Sequence, residues 1–165
     1  MISGCHGSKS AENEDLAAQA ANTHAPGYAW LPVLARDLGD DSAQNARLAF
    51  ADRDADVLGA STDSVYSHRV WMGRGRERQG IADLRFPLLS DKTGRIARNY
   101  GVLLEEEGVA LRGLFIVDPE GVIQYAVTHN LNVGRSVDET LRVLEAIQSG
   151  GLCGSDWKPG QAMLA

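Results

Sequence analysis

Thiols and imidazoles are scarce in this sequence: there are two cysteines, Cys5 and Cys153, and four histidines among 165 residues. Two cysteines so far apart exclude the disulfide framework of a small secreted domain. The histidines, at positions 6, 24, 68 and 129, form no ligand cluster, so neither a metal site nor a bound cofactor is expected. Positive charge is also short. Lysine and arginine number 16 against 22 aspartates and glutamates, for a formal net charge of -6. That leaves no basic footprint to neutralise phosphates and argues against a nucleic-acid partner. Arg74, Arg76 and Arg78 fall close together, and a solvated loop accounts for them better than an anion site does. No apolar run approaches the roughly 20 residues of a membrane helix. The N-terminal segment has no stretch fit for the core of a signal peptide. A cytoplasmic protein with no membrane partner is the expectation.

What remains is an ordinary globular composition, 44% hydrophobic and 23% charged, in a chain long enough for one domain with one core. Residues 1–42 are small, polar and aperiodic and are expected to form a flexible N-terminal segment. Residues 43–165 are expected to carry the folded domain. Within the first segment, YAWLPVLA (28–35) is apolar but broken by Pro32, which allows an edge strand at best. A helix is predicted from Ser42 to near Asp54, with Ala43, Ala46, Leu48, Ala49 and Phe50 on one face. A short strand at 57–60 leads to Thr62-Asp63-Ser64, which caps a helix over 65–72. A strand segment at 86–89 and a short helix over 95–100, stopped by Gly101, precede two β-rich runs at 111–117 and 122–127. Asp118-Pro119-Glu120-Gly121 between those runs is a turn, because proline presets φ and glycine accepts positive φ. Val137, Leu141, Leu144 and Ile147 recur at helical spacing, so 136–148 is an amphipathic helix. Ser136 and Glu139 give it a capping box, and Gly150-Gly151 end it. Strands alternating with helices, then a hairpin and a helix, predict a three-layer α/β sandwich.

Several of these stretches resemble one family. STDSVYSHRVW (61–71), FPLLSD (86–91), YGVLLEEEGVALRGLFIVDPEG (100–121), VGRSVDETLRVLEAIQ (133–148) and the stretch from Cys153 to Lys158-Pro159-Gly160 are similar to the typical two-cysteine peroxiredoxins, the alkyl hydroperoxide reductase family. The motifs come in the family's order at nearly its spacing, from about Phe50 to Gly160. The resemblance implies a thioredoxin-like fold, incomplete here on its N-terminal side. It implies reduction of hydrogen peroxide and organic hydroperoxides through cysteine thiols, in an antioxidant enzyme. The implied partners are a thioredoxin-like or flavoprotein disulfide reductase and further copies of the chain, as a homodimer or a larger ring. It also implies three site residues. Cys153, between Leu152 and the Trp157-Lys158-Pro159-Gly160 run, falls at the resolving cysteine. Arg112, in the ALRGLF context, falls at the arginine that stabilises thiolate and peroxide. Arg135, in VGRSVDE, falls near the active-site and dimer region. Trp71 is expected to pack at a subunit contact.

The pattern breaks upstream. The family sets its attacking cysteine in a P-x-x-x-[T/S]-x-x-C-P segment at a helix N-terminus, where the helix dipole favours the thiolate. Counted back from the STDS turn, that position falls near Arg36, and a guanidinium is no nucleophile. Cys5 lies about 30 residues earlier, in an aperiodic tail. The first strands of the family's core are missing from residues 1–42 as well, which would leave sheet edges bare. Two readings of function follow: a peroxide-reducing enzyme of the family, or a catalytically inactive subunit or fragment that acts by oligomerising. The switch from no resemblance to dense resemblance suggests a frame-shifted or truncated leader on a peroxiredoxin remainder. The end soon after the Trp157-Lys158-Pro159-Gly160 run suggests the bacterial subgroup that resists over-oxidation.

Overall fold

Leu114, Phe115 and Ile116 are all buried, yet they point to two different cores. Side chains alternate along a strand, so this one strand separates two apolar layers and is covered on both faces. The computed structural model that establishes this describes residues 28–30, 42–78, 80–82 and 84–164. In chain order the elements are β1 (Tyr28–Trp30), α1 (Ser42–Ala51), β2 (Asp56–Ser61), α2 (Val65–Met72), a 3-10 turn (Arg76–Arg78), β3 (Leu88–Ser90) and α3 (Arg95–Asn99). There follow β4 (Leu103–Leu104), β5 (Val109–Ala110), β6 (Arg112–Val117), β7 (Ile123–His129) and α4 (Val137–Ser149).

Five strands form one sheet in the order β3-β2-β1-β6-β7. β1, β2 and β3 run parallel, while β6 is antiparallel to β1 and to β7. On one face, Phe50 of α1 and Leu144 of α4 meet Val57, Leu114 and Ile116, with Trp71 of α2 packed alongside. On the other, Ala97 of α3, Val102 and Phe115 form a smaller core with Tyr100 and Leu103 around it. The rings of Tyr100 and Phe115 meet in a tilted arrangement with centroids 4.7 Å apart. Helix, sheet and helix layers make the three-layer α/β sandwich that the element order predicts, in the thioredoxin-like form that the resemblance implies.

Three differences from the sequence reading have physical causes. Tyr28–Trp30 is not an edge strand: it lies between β2 and β6, in register Ala29↔Val57 and Ala29↔Ile116. The strand ends at Trp30, before Pro32, so the missing proline N–H does not enter the described ladder. The sheet therefore draws on residues upstream of 43, and β2 and β6 have a shared neighbour instead of bare edges. Leu48 does not share the buried face with Phe50; it is 47% exposed while Phe50 is fully buried. Positions two apart on a helix lie on nearly opposite sides. The ribbon of β4 and β5 escaped prediction, because each strand has two residues. Its signal was the Glu-Glu-Glu-Gly turn, where Gly108 takes a φ of 65°.

The caps agree with the sequence. Ser64 Oγ accepts the Ser67 N–H at 3.1 Å, and Ser136 Oγ accepts the Glu139 N–H at 3.2 Å. The carboxylate of Glu139 faces Arg142, so the capping interaction described is the serine half of a box. At the β6–β7 turn, Gly121 has a φ of 84° and Asp118 accepts from the Val122 N–H at 2.8 Å and from Gln124 Nε2 at 2.6 Å. Those hydrogen bonds, Val122 first, hold the Asp118 carboxyl below the usual carboxylate range.

Candidate active site

In an open α/β sheet, chemistry gathers beyond the carboxyl ends of the parallel strands. β6 extends past that end. Its last described pairing with β1 is Phe115↔Trp30, and Arg112 lies three residues further on, beside the point where the chain leaves β1. Arg112 is half-buried and sits across from His129 of β7. Its Nε donates to the Leu131 carbonyl at 2.6 Å, which fixes the guanidinium plane. Arg135, half-buried just before α4, donates Nη1 to the Gly113 carbonyl at 2.8 Å. The structure thus brings Arg112 and Arg135 to adjacent residues at one end of β6. Two guanidiniums there can favour a thiolate over a thiol and donate to peroxide oxygens. The position aligned with the attacking cysteine, near Arg36, and Cys5 lie outside the described residues.

The neighbouring edge, at the end of β2, is braced by residues the sequence reading took only as motif. His68 of α2 is buried, with Nε2 2.7 Å from Ser61 Oγ. Ser61 Oγ itself donates to Asp63 at 3.3 Å, which leaves Nε2 as the donor to the hydroxyl. Burial pushes the His68 pKa down, with Asp63 opposing it in part. The serine proton thus points away from the imidazole, so the pair is a brace and not an activated nucleophile. Next to it, the buried carboxylate of Asp91 accepts the N–H groups of Ile96 and Ala97 at 3.0 and 2.7 Å, fastening the start of α3. Polar side chains five to seven residues from their partners carry no periodic signal, which is why the sequence does not expose them as supports. Trp71, expected at a subunit contact, packs against this chain's own core.

Cys153 stands apart from the arginines. It is half-buried, in no disulfide, and follows the C-terminal end of α4. It lines a groove of about 430 Å³ with Gln124, Arg142, Val143, Ala146 and Ile147. Gln124 is near the start of β7, whereas His129, opposite Arg112, is its last residue. Arg135 precedes a helix of 13 residues and Cys153 follows it, so roughly 20 Å of helix separates them. Within one chain the structure does not bring Cys153 to Arg112 and Arg135. Among the described residues no group of three or more histidine, cysteine or carboxylate side chains could hold a metal ion. None of their helices is long and apolar enough to cross a membrane.

Among the described residues the site is an arginine pair beyond the parallel strands of a thioredoxin-like sandwich, with a thiol after the last helix. Comparison supplies the class. The pattern of the AhpC/TSA family matches residues 38–126. YkuU of Bacillus subtilis is 54% identical over 115 residues, covering 70% of this chain and 64% of YkuU. Peroxiredoxin TSA1-B of Candida albicans is 50% identical over 115 residues, covering 67% of this chain and 59% of the relative. The reduced crystal structure of the Plasmodium vivax 2-Cys peroxiredoxin superposes with a TM-score of 0.71 at 32% identity, over 83% of this chain and 74% of that one. The chain belongs to the AhpC/TSA family, as its motifs implied. It spans less than two thirds of the length of the two curated relatives.

Proposed function

We propose that this chain works in the thiol-dependent reduction of hydrogen peroxide and organic hydroperoxides, with Cys153 as the resolving thiol and Arg112, supported by Arg135, as the cation of the peroxide site. The observation that carries the reading is the arginine pair at the exit of β1. In such a cycle an attacking thiolate, which with Cys153 as the resolving thiol can in this chain be only that of Cys5, breaks the O–O bond, becomes a sulfenic acid and releases water or an alcohol. The resolving thiol then condenses with the sulfenic sulfur, forming a disulfide and a second water. A thioredoxin-like or flavoprotein disulfide reductase returns both thiols, and a reducing compartment such as the cytoplasm suits that step.

The separation of Cys153 from Arg112 supports a homodimer. β7 is a seven-residue strand at the end of the sheet order, an edge suited to strand addition. Antiparallel pairing of two β7 strands would set the start of each beside the end of the other. The Cys153 end of one protomer would then lie at the Arg112 end of its partner. A ring of such dimers is compatible with this arrangement. The second reading, an inactive subunit that acts by oligomerising, rests on the arginine at position 36.

Peroxide consumption by the fully reduced chain, with Cys5→Ser and Cys153→Ser alongside, tests the proposal. The expected result is turnover well above that of a free thiol and a disulfide-linked dimer that Cys153→Ser abolishes. Turnover no faster than a free thiol sinks the enzyme reading. Rescue by an added intact two-cysteine peroxiredoxin, with Cys153 in the mixed disulfide, would establish the oligomerising subunit instead.

A further inference from the structure

The segment that carries Cys153 is knitted mostly to itself. Leu164 N–H donates to the Leu152 carbonyl at 2.7 Å, Trp157 Nε1 to the Gln161 carbonyl at 3.1 Å, and Lys158 N–H to Gln161 Oε1 at 2.8 Å. Trp157 is its buried anchor. Two side chains of α4 reach this unit: Ser149, whose Oγ donates to Met163 Sδ at 3.9 Å, and Arg142, which makes the stronger tie to the body of the domain. Arg142 holds Glu139 with two bonds of 2.7 Å, from Nε and Nη2, and donates Nη1 to the Trp157 carbonyl at 3.0 Å. A guanidinium fixed bidentately on one carboxylate has a set plane, so its third donor is already aimed. Arg142 also lines the Cys153 groove.

From these contacts we infer that Arg142 is a positioning residue for Cys153: by bridging Glu139 and the Trp157 carbonyl, it keeps the cysteine in its groove and sets how often the segment leaves. Its consequence for the reaction rests on the assignment of Cys153 as the resolving thiol; the positioning itself does not.

Alkylation of Cys153 by iodoacetamide in the full-length reduced chain, with Cys5→Ser as background, reads the latch directly. Removing a cation near a thiol makes the thiolate scarcer and by itself slows alkylation. Releasing the segment speeds it, so the two effects have opposite signs. Arg142→Met, which keeps the apolar stem, is expected to speed alkylation at least fivefold and to speed amide exchange at Leu164 but not at Leu114 or Ile116. Arg142→Lys, which keeps the charge but not the bidentate fork, should leave most of that rise in place. Arg98→Met, which removes another glutamate-paired arginine, should leave the rate unchanged. A rate for Arg142→Met equal to or below the parent, or exchange that rises equally in β6, would overturn the inference. No step needs peroxide, so a chain without peroxidase activity still gives a clear answer.

Discussion

At the scale of single residues, Arg112 and His68 show how a side chain acquires a task from its neighbours. Arg112 spends Nε on the Leu131 carbonyl, so its guanidinium is preorganised. A preorganised donor at a site of developing charge is worth roughly 10²–10³ in rate. Arg112→Met should lower the rate of the peroxide step about 10²-fold in stopped-flow measurements, with the thermal midpoint little changed. His68 bears on stability instead. Its folded pKa is depressed, chiefly by burial, so the unfolded chain binds the proton more readily. Its contribution is complete above the ordinary imidazole value, about 6.5, and is lost as the pH falls below it. Thermal midpoints should drop between pH 7.5 and pH 5.5, and His68→Gln should flatten that slope. Cys153, Arg112 and Arg135 stand out in the sequence because short motifs surround them, and the fold brings the two arginines to adjacent residues of β6. The tasks of Asp91, His68 and Arg142 are not legible there, since each depends on a partner that only the fold brings near.

Elements were legible where period and punctuation agree. α2 and α4 were readable to within a residue, because Ser64 and Ser136 cap them and Gly150 closes α4 with a φ of 67°. α1 misled at Leu48, where a list of apolar residues was read as one face. β1 misleads because Pro32, two residues beyond the strand, counts against an interior strand when only the sequence is read. The start of α3 depends on Asp91 rather than on its N-cap, Gly94, which makes no side-chain cap. Asp91→Ala should therefore destabilise the protein by about 2 kcal/mol, since it leaves two helix N–H groups without their acceptor. Urea unfolding measures this. A change under about 0.5 kcal/mol would show that those amides find other partners.

For the molecule as a whole, stability rests on the layer that α1 and α4 share over the sheet. Leu144 is 2% exposed and sits in that core, while Leu48 is 47% exposed. Leu144→Ala should cost about 2–5 kcal/mol, against about 0.5 kcal/mol or less for Leu48→Ala. Arg53 of the α1–β2 turn pairs with Glu145 of α4, and Gln148 donates to the Arg53 carbonyl at 2.6 Å, so the two helices are also fastened at their edges. Equal losses for the two leucines would mean that α4 is not seated on this core.

The three residues of β1 do more than their number suggests. Without them the sheet is two pieces, the parallel pair β2–β3 and the hairpin β6–β7, with no common border. β1 is a splice of three rungs on each side, and it enters the sheet from a part of the sequence that carries no family motif. A chain cut just before Tyr28 keeps the splice; one cut just after Trp30 loses it while retaining every motif by which the family is recognised. Such a shortened chain would still read as a peroxiredoxin on paper, but in solution it would be two half-sheets held by helices alone.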